Sequence, residues 1–349
     1  MINSVTFSLF ETILIAMILS LVSARLGIRI AKRINLIDVP ASAPHKQHSK
    51  PTPIAGGFAL FMVLIAYAVY QKIWLKPELQ ALLFGSLIIL IFGLWDDIKA
   101  VPPLVKLSGQ LLAVILLIIS GVYIRLFESP DFFIHGEGGI YVWLDWILTA
   151  VWVIGITNAF NFVDSTDGLA TLLAGTAAAF LMLVTLDSNQ PNLSLLNALI
   201  LGACTGLFFY NAPPARLFLG DAGAQTLGFI LASIAIVYTP IAKFQTSSWF
   251  VPILILGVPI FDMTLVVLSR IRRGKPIYKP GRDHTYHRLV SLGVDSHHAV
   301  LAMVITALSL GCLAFIALHF PPPTANGIFA ATLVLGVSTY VYLDNKKRW

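Results

Sequence analysis

Long apolar runs, each close to twenty residues, alternate along the whole chain with short polar segments. The runs lie at 7–29, 55–71, 79–95, 108–125, 143–160, 169–186, 194–211, 224–240, 250–269, 299–320 and 325–343. A helix needs roughly 20 apolar residues to cross the hydrocarbon of a bilayer. The pattern therefore predicts an all-α polytopic membrane protein with about eleven transmembrane helices, ten being the other count it admits. The composition agrees: 57% of residues are hydrophobic and 11% charged, whereas a soluble domain carries about 25% charged residues. Such spans leave no room for a second domain, so 1–349 reads as one membrane domain. The loop 127–142 is rich in glycine and carries Phe132, Phe133, Tyr141 and, just after it, Trp143, which suggests a short hairpin lying on the membrane surface.

Charge orients these spans. Arg25, Arg29, Lys32, Arg33, Lys46 and Lys50 follow the first run, and Arg270, Arg272, Arg273, Lys275, Lys279, Arg282 and Arg288 follow the ninth. Lys346, Lys347 and Arg348 end the chain. The opposite loops hold few basic residues: Lys72, Lys76, Arg125 and Lys243. Basic loops face the cytoplasm, so the N-terminus is expected outside and the C-terminus inside, as an odd span count requires. The first basic residue, Arg25, comes after the first apolar run, whereas a cleaved signal places positive charge before it; the first span is expected to be retained. The net charge of +6 is then mostly topological and implies no nucleic acid partner. Cys204 and Cys312 lie inside apolar runs and read as small buried hydrophobes.

Polar chemistry concentrates at one set of span ends. Asp96-Asp97 closes the third span; adjacent carboxylates repel and raise one another's pKa unless a cation or a donor neutralises them. The bland use of the pair is a hydrated cap near Lys99 and Lys106. Asn158, Asn161 and Asp164 recur at steps of three, and Asp167 continues the series. On a helix this spacing sets polar groups near one face, although steps of three wind slowly unless the helix breaks. Amide and carboxylate oxygens are hard donors suited to magnesium; the bland use is a polar helix end stopped by Gly168. Asp221 lies in Phe218-Leu219-Gly220-Asp221-Ala222-Gly223 between spans seven and eight, where small neighbours let a bulky ligand approach. A helix starting there would favour phosphate, or Asp221 would serve as an N-cap. Arg282, His284, His287 and Arg288 lie in the most basic loop and offer donors for phosphate oxygens. For the basic residues 270–279, topology and contact with anionic lipid suffice. Asp262, two turns inside span nine, reads either as part of a ligand shell or as a partner for a buried donor. Carboxylates in or near hydrocarbon are expensive and usually functional.

Taken together, these stretches resemble the polyprenyl-phosphate N-acetylhexosamine-1-phosphate transferases (glycosyltransferase family 4), and within them the bacterial undecaprenyl-phosphate GlcNAc-1-phosphate branch. The resemblance is strongest over 44–293. It rests on Pro44-His45-Lys46 with Pro51-Thr52-Pro53 and Gly56-Gly57, GLWDD at 93–97, NAFNFVDSTDGLA at 158–170, FLGDAG at 218–223, VPIFD at 258–262 and RDHTYHRL at 282–289. Two positions depart from the family's pattern: Ser165 stands where a glycine is common, and Tyr286 stands where a histidine is common.

The resemblance implies transfer of N-acetylhexosamine 1-phosphate, GlcNAc foremost, from a UDP-sugar to a polyprenyl (undecaprenyl) phosphate with release of UMP. This would be the first membrane step of a cell-envelope glycan such as cell wall or lipopolysaccharide. It implies Mg2+ (or Mn2+) held by Asn161 and Asp221, and Asp96 and Asp97 as the residues that orient or deprotonate the lipid phosphate. Asp164 and Asp167 would serve the nucleotide end, with Phe218 stacking on uracil, and Asn158 would also bind substrate. Lys46 and Lys50 would screen the diphosphate or the base, and Arg282, His284, His287 and Arg288 would hold phosphate oxygens. The expected location is a bacterial cytoplasmic membrane with the site on its cytoplasmic face; a homodimer is compatible. Within the family, a phospho-MurNAc-pentapeptide transferase is the alternative. Outside it there are two. An intramembrane aspartyl protease would use Leu219-Gly220-Asp221, but position 218 is Phe where that signature has Gly. A proton-coupled transporter would need ionisable residues through the midplane, where Asp262 alone qualifies.

Overall fold

The computed structural model describes residues 2–40, 50–70, 77–129, 134–136, 138–239, 250–278 and 281–345. Its elements are α1 (Ile2–Arg33), the strands β1 (Ile37–Asp38) and β2 (Thr52–Pro53), then α2 (Gly56–Tyr70), α3 (Pro77–Ile98), α4 (Pro103–Ile119) and α5 (Ile140–Val163). There follow α6 (Leu169–Asp187), α7 (Pro191–Asn211), α8 (Gly220–Val237), α9 (Val251–Ile255), α10 (Gly257–Arg272), α11 (Thr285–Ser291), α12 (Ser296–Ala317) and α13 (Pro322–Asn345). Among the described residues, eight helices are long and apolar enough to cross a membrane, and α2 and α4 are shorter apolar helices. The protein is thus a predominantly helical, polytopic membrane protein, and helices lie over all eleven apolar runs.

Local rules set several boundaries. Pro103 and Pro191 occupy the first turns of α4 and α7, where the missing N–H costs nothing. Asp295 caps α12, its carboxylate accepting the His297 N–H at 3.0 Å. The ninth apolar run is broken: α9 and α10 meet at Leu256. Pro259 cannot donate to the Ile255 carbonyl four residues back, so the helical ladder is interrupted there.

α8 is the hub of the bundle, packed against α2, α3, α5 and α6, whereas α1 and α6 both pack on α7. Membrane helices approach closely where residues are small. A Cβ at Gly93 of α3 would lie 2.5 Å from the Ala222 Cα of α8, so only glycine lets α3 bring its acidic end this near. Of these eight long helices, α13 is the least enclosed: 6% of its apolar window is buried.

Three loops carry further detail. The loop 34–54 holds a short antiparallel clip pairing Ile37 with Pro53 and Asp38 with Thr52 within an otherwise helical fold. The loop 127–142 contains no strand among its described residues, and Phe132 and Phe133, on which the expected hairpin rests, lie outside them. Its chain is instead gathered by the fully buried Asp145, whose carboxylate accepts the N–H groups of Leu126, Phe127 and Glu128 at 2.9, 3.0 and 3.1 Å. A buried carboxylate needs such donors to offset its lost hydration. Finally, the basic loop folds locally into α11, with His284 as its N-cap and His287 and Arg288 within it.

Candidate active site

The C-terminal ends of α3 and α5 and the N-terminal ends of α2, α4 and α8 meet at one end of the bundle. Asp97, in the last turn of α3, directs its carboxylate at the start of α8. Its Oδ1 accepts the Asp221 N–H at 2.8 Å and its Oδ2 the Ala222 N–H at 3.1 Å. These are two of the orphan donors of a helix N-terminus, and the cap is supplied by a different helix. Gly220 has φ +70, and a Cβ there would fall 2.6 Å from the Asp97 Oδ2; glycine is needed for both the left-handed backbone and the approach. Asp96 turns the other way. Its Oδ1 accepts the Val101 N–H at 2.9 Å and its Oδ2 pairs with the Lys106 ammonium at 2.7 Å. The neighbouring carboxylates thus have separate partners, a cation on Asp96 and two backbone donors on Asp97.

Lys106 also reaches Asp221, so one ammonium bridges carboxylates from α3 and α8. The same Asp221 Oδ2 accepts the Asn161 Nδ2 at 3.0 Å and the Gln225 Nε2 at 2.9 Å. Asn161 and Asp221, 60 residues apart in sequence, are therefore neighbours, as a shared ion would require. Asn158 is engaged elsewhere: its amide donates to the Gln110 Oε1 at 2.9 Å and to the Ile154 carbonyl at 2.8 Å. Gln110 in turn donates to Gln225 at 2.9 Å, so Asn158 sits at the far end of an amide chain leading to Asp221. Lys106, Gln110 and Gln225 were not singled out as site residues from the sequence. The available signal was a lysine in the first turn of an apolar helix and two amides within apolar runs.

α5 ends at Val163, with Asp164 as its C-cap. The three-residue series accordingly breaks before Asp167, whose Oδ2 accepts the Ala215 N–H at 2.9 Å and pins the α5–α6 turn to the loop before α8. Burial first, then the like charges of Asp221, Asp97 and Asp167, hold the Asp164 carboxyl well above the ordinary carboxylate range, although part of its surface meets solvent. Phe218 is half-buried. Its backbone joins the two glycine-rich stretches: its N–H donates to the Pro53 carbonyl at 2.9 Å, and its carbonyl accepts the N–H groups of Ala55 and Gly56 at 3.2 and 3.1 Å. Lys50 is exposed beside this junction; Lys46 lies outside the described residues.

The basic motif splits in two. His284 is buried, with its Nδ1 2.9 Å from the Asp262 Oδ2, while Asp262 Oδ1 accepts the Thr285 N–H at 2.6 Å. Asp262 is therefore the partner of buried donors, and it orients the imidazole. The His284 ring meets Phe162, next to Asn161, edge-on at 5.6 Å between centroids, and His287 lies 5.8 Å from His284. Burial first, then the positive charge of His284 and Arg282, pushes the His287 imidazole down to about 4. It is neutral at pH 7. Arg282 is exposed. Arg288 overturns its expectation: the side chain is fully buried, its Nε donates to the Asp283 carbonyl at 2.8 Å and its Nη1 lies 3.1 Å from Asp344. A guanidinium sequestered this way does not reach a phosphate arriving from water.

Among the described residues, no three His, Cys, Asp or Glu side chains could hold a metal by themselves. Magnesium does not need them: it usually takes one or two carboxylates and completes its shell with water and substrate phosphates. The residue types fit such an ion, an amide on Asn161 and a carboxylate on Asp221, although in this structure it is the Asn161 Nδ2 that faces the Asp221 Oδ2. The carboxylate crowding felt by Asp164 also marks a field that a divalent cation would relieve.

The arrangement defines a polytopic helical membrane protein with a cluster of carboxylates, amides and a lysine at one end of its bundle. The model of glycosyl transferase family 4 matches residues 79–239. The probable undecaprenyl-phosphate N-acetylglucosaminyl 1-phosphate transferase of Bacillus subtilis (strain 168) is 32% identical over 279 residues, covering 79% of this chain and 76% of the relative. The decaprenyl-phosphate N-acetylglucosaminephosphotransferase of Mycobacterium tuberculosis (strain ATCC 25618 / H37Rv) is 28% identical over 348 residues, covering 90% and 84%. The undecaprenyl-phosphate alpha-N-acetylglucosaminyl 1-phosphate transferase of Escherichia coli (strain K12) is 24% identical over 302 residues, covering 84% and 80%. The chain belongs to glycosyl transferase family 4. Neither the protease nor the transporter reading finds support in these relatives.

Proposed function

We propose that this protein transfers N-acetylglucosamine 1-phosphate from UDP-GlcNAc to a polyprenyl phosphate and releases UMP. An oxygen of the lipid monophosphate attacks the sugar-linked phosphorus of the donor. The bond from that phosphorus to the bridging oxygen breaks, and UMP leaves with the electron pair. The relatives' names support the sugar and the lipid class. The observation that carries the chemistry is the convergence of Asn161 and Asp221, 3.0 Å apart, beside Lys106 and the Asp96-Asp97 pair.

Phosphoryl transfer requires in-line positioning and charge neutralisation more than covalent help. In this reading Asn161 and Asp221 hold Mg2+, with Mn2+ able to replace it, and the ion neutralises diphosphate charge when bound. Lys106 supplies a fixed positive charge for the same phosphates. The acceptor phosphate has a second pKa near 6, so it needs no strong base. Both oxygens of Asp97 are occupied by α8 N–H groups, which suits an anchor that fixes Asp221. Asp96 holds Lys106. Asp164, Asp167 and Phe218 face the nucleotide, Lys46 and Lys50 screen the diphosphate or the base, and Arg282, His284 and His287 serve phosphate oxygens. The eleven apolar runs cross the membrane with the N-terminus outside and the C-terminus inside. This puts the site at the cytoplasmic water–lipid boundary, where a soluble nucleotide and a lipid headgroup can meet.

Purified Asp221→Ala should fold in detergent yet release no UMP from UDP-GlcNAc and undecaprenyl phosphate. A chelator should silence the wild type, and added Mg2+ should restore it. Near-normal turnover in the variant would remove the assignment of Asp221.

A further inference from the structure

α13 looks dispensable to the site. It is the last helix, barely enclosed, and carries none of the motif residues. Yet its final turn ends in a buried cluster of charge. Asp344 is 1% exposed and Arg288 fully buried. The Asp344 carboxylate meets Arg272 at 2.5 Å, Arg273 at 2.9 Å and Arg288 at 3.1 Å. The helix's terminal carbonyls take part as well: Asp344 O accepts from Arg273 at 3.0 Å, and Leu343 O lies 3.4 Å from the Arg288 Nη1. Cations at a helix C-terminus are favourable, but one carboxylate among three guanidiniums exceeds what is needed to cap a helix.

The consequence runs through Arg288. While Nη1 is held by Asp344, Nε donates to the carbonyl of Asp283 at 2.8 Å, the peptide group that leads directly into His284. The Asp283 carboxylate is itself clasped by Arg270 at 2.8 and 2.7 Å. His284 is thus fixed twice: its ring by Asp262 from α10, and its preceding peptide by an arginine that Asp344 anchors from α13. We infer that Asp344 is a positioning residue for the His284–His287 end of the site, acting through Arg288. Resting on the transferase reading above, this explains why the motif's arginine is buried away from any phosphate.

A buried guanidinium stripped of its carboxylate is strongly destabilising, whereas removing both partners is far less so. Two variants therefore separate positioning from mere stability. Asp344→Asn should lower kcat/KM for UMP release at least tenfold, mainly through a raised KM for the phosphate substrates, and should lower the unfolding midpoint. Asp344→Asn combined with Arg288→Met should regain the midpoint but keep the raised KM. Hydrogen exchange read by mass spectrometry should accelerate at 283–290 in both variants and stay unchanged at 158–164. Wild-type kcat/KM in Asp344→Asn, recovery of kcat/KM in the double variant, or unchanged exchange at 283–290 would each overturn the inference. A wild-type protein that releases no UMP would overturn the transferase reading instead, and the exchange arm would still decide the role of Asp344.

Discussion

Asp97→Asn tests whether this residue anchors or reacts. In the wild type each carboxylate oxygen accepts one α8 N–H, from Asp221 at 2.8 Å and Ala222 at 3.1 Å. Asparagine has the same shape but a single acceptor oxygen. One N–H keeps a weaker, neutral bond, and the other faces an NH2 group. Leaving a buried donor unsatisfied costs about 1–3 kcal/mol, and the surviving bond loses its charge assistance. The loss falls on the first turn of α8, the turn that carries Asp221. If all of it appears in the transition state, kcat falls about 5- to 150-fold at 1.36 kcal/mol per decade. The assay is UMP release at saturating UDP-GlcNAc and undecaprenyl phosphate, paired with an unfolding curve in the same detergent. An anchor predicts that activity and unfolding midpoint fall together. A wild-type kcat would refute the capping argument. A loss beyond about 10⁴-fold with an unchanged midpoint would show that Asp97 takes part in the chemistry itself.

Two further outcomes follow from the geometry. Gly93→Ala drives a methyl group to 2.5 Å from the Ala222 Cα; overpacking of this kind costs about 1–3 kcal/mol, and thermal unfolding should shift downward while UMP release falls with it. His287, with its imidazole pushed down to about 4, should make the wild type acid-sensitive: an unfolded histidine titrates near 6.5, so the unfolded state binds the extra proton first and stability declines as pH falls from about 6.5 towards 4. Carboxylates titrate in the same range, so the readout is the difference from His287→Gln. Its unfolding midpoint should fall less over that interval, and equal slopes would refute the burial of His287 as a neutral ring.

The apolar runs alone dictated where helices lie, because hydrocarbon admits a single backbone only when its own hydrogen bonds are satisfied. Expense also marked Asp96, Asp97, Asn161 and Asp221 as worth attention, since polar groups are placed at the edge of such runs at a cost. What sequence spacing could not convey was partnership. Asp97 caps a helix that begins over a hundred residues later, Lys106 joins two carboxylates from separate helices, and Gln110 and Gln225 link Asn158 to Asp221. Each depends on how α3, α4, α5 and α8 pack, and thus on glycines such as Gly93 whose role is a missing side chain. The Arg288 expectation failed for the same reason. Arginine in a basic loop offers donors to any anion, and only the tertiary structure decided that a carboxylate at the end of the last helix would claim them before a substrate could.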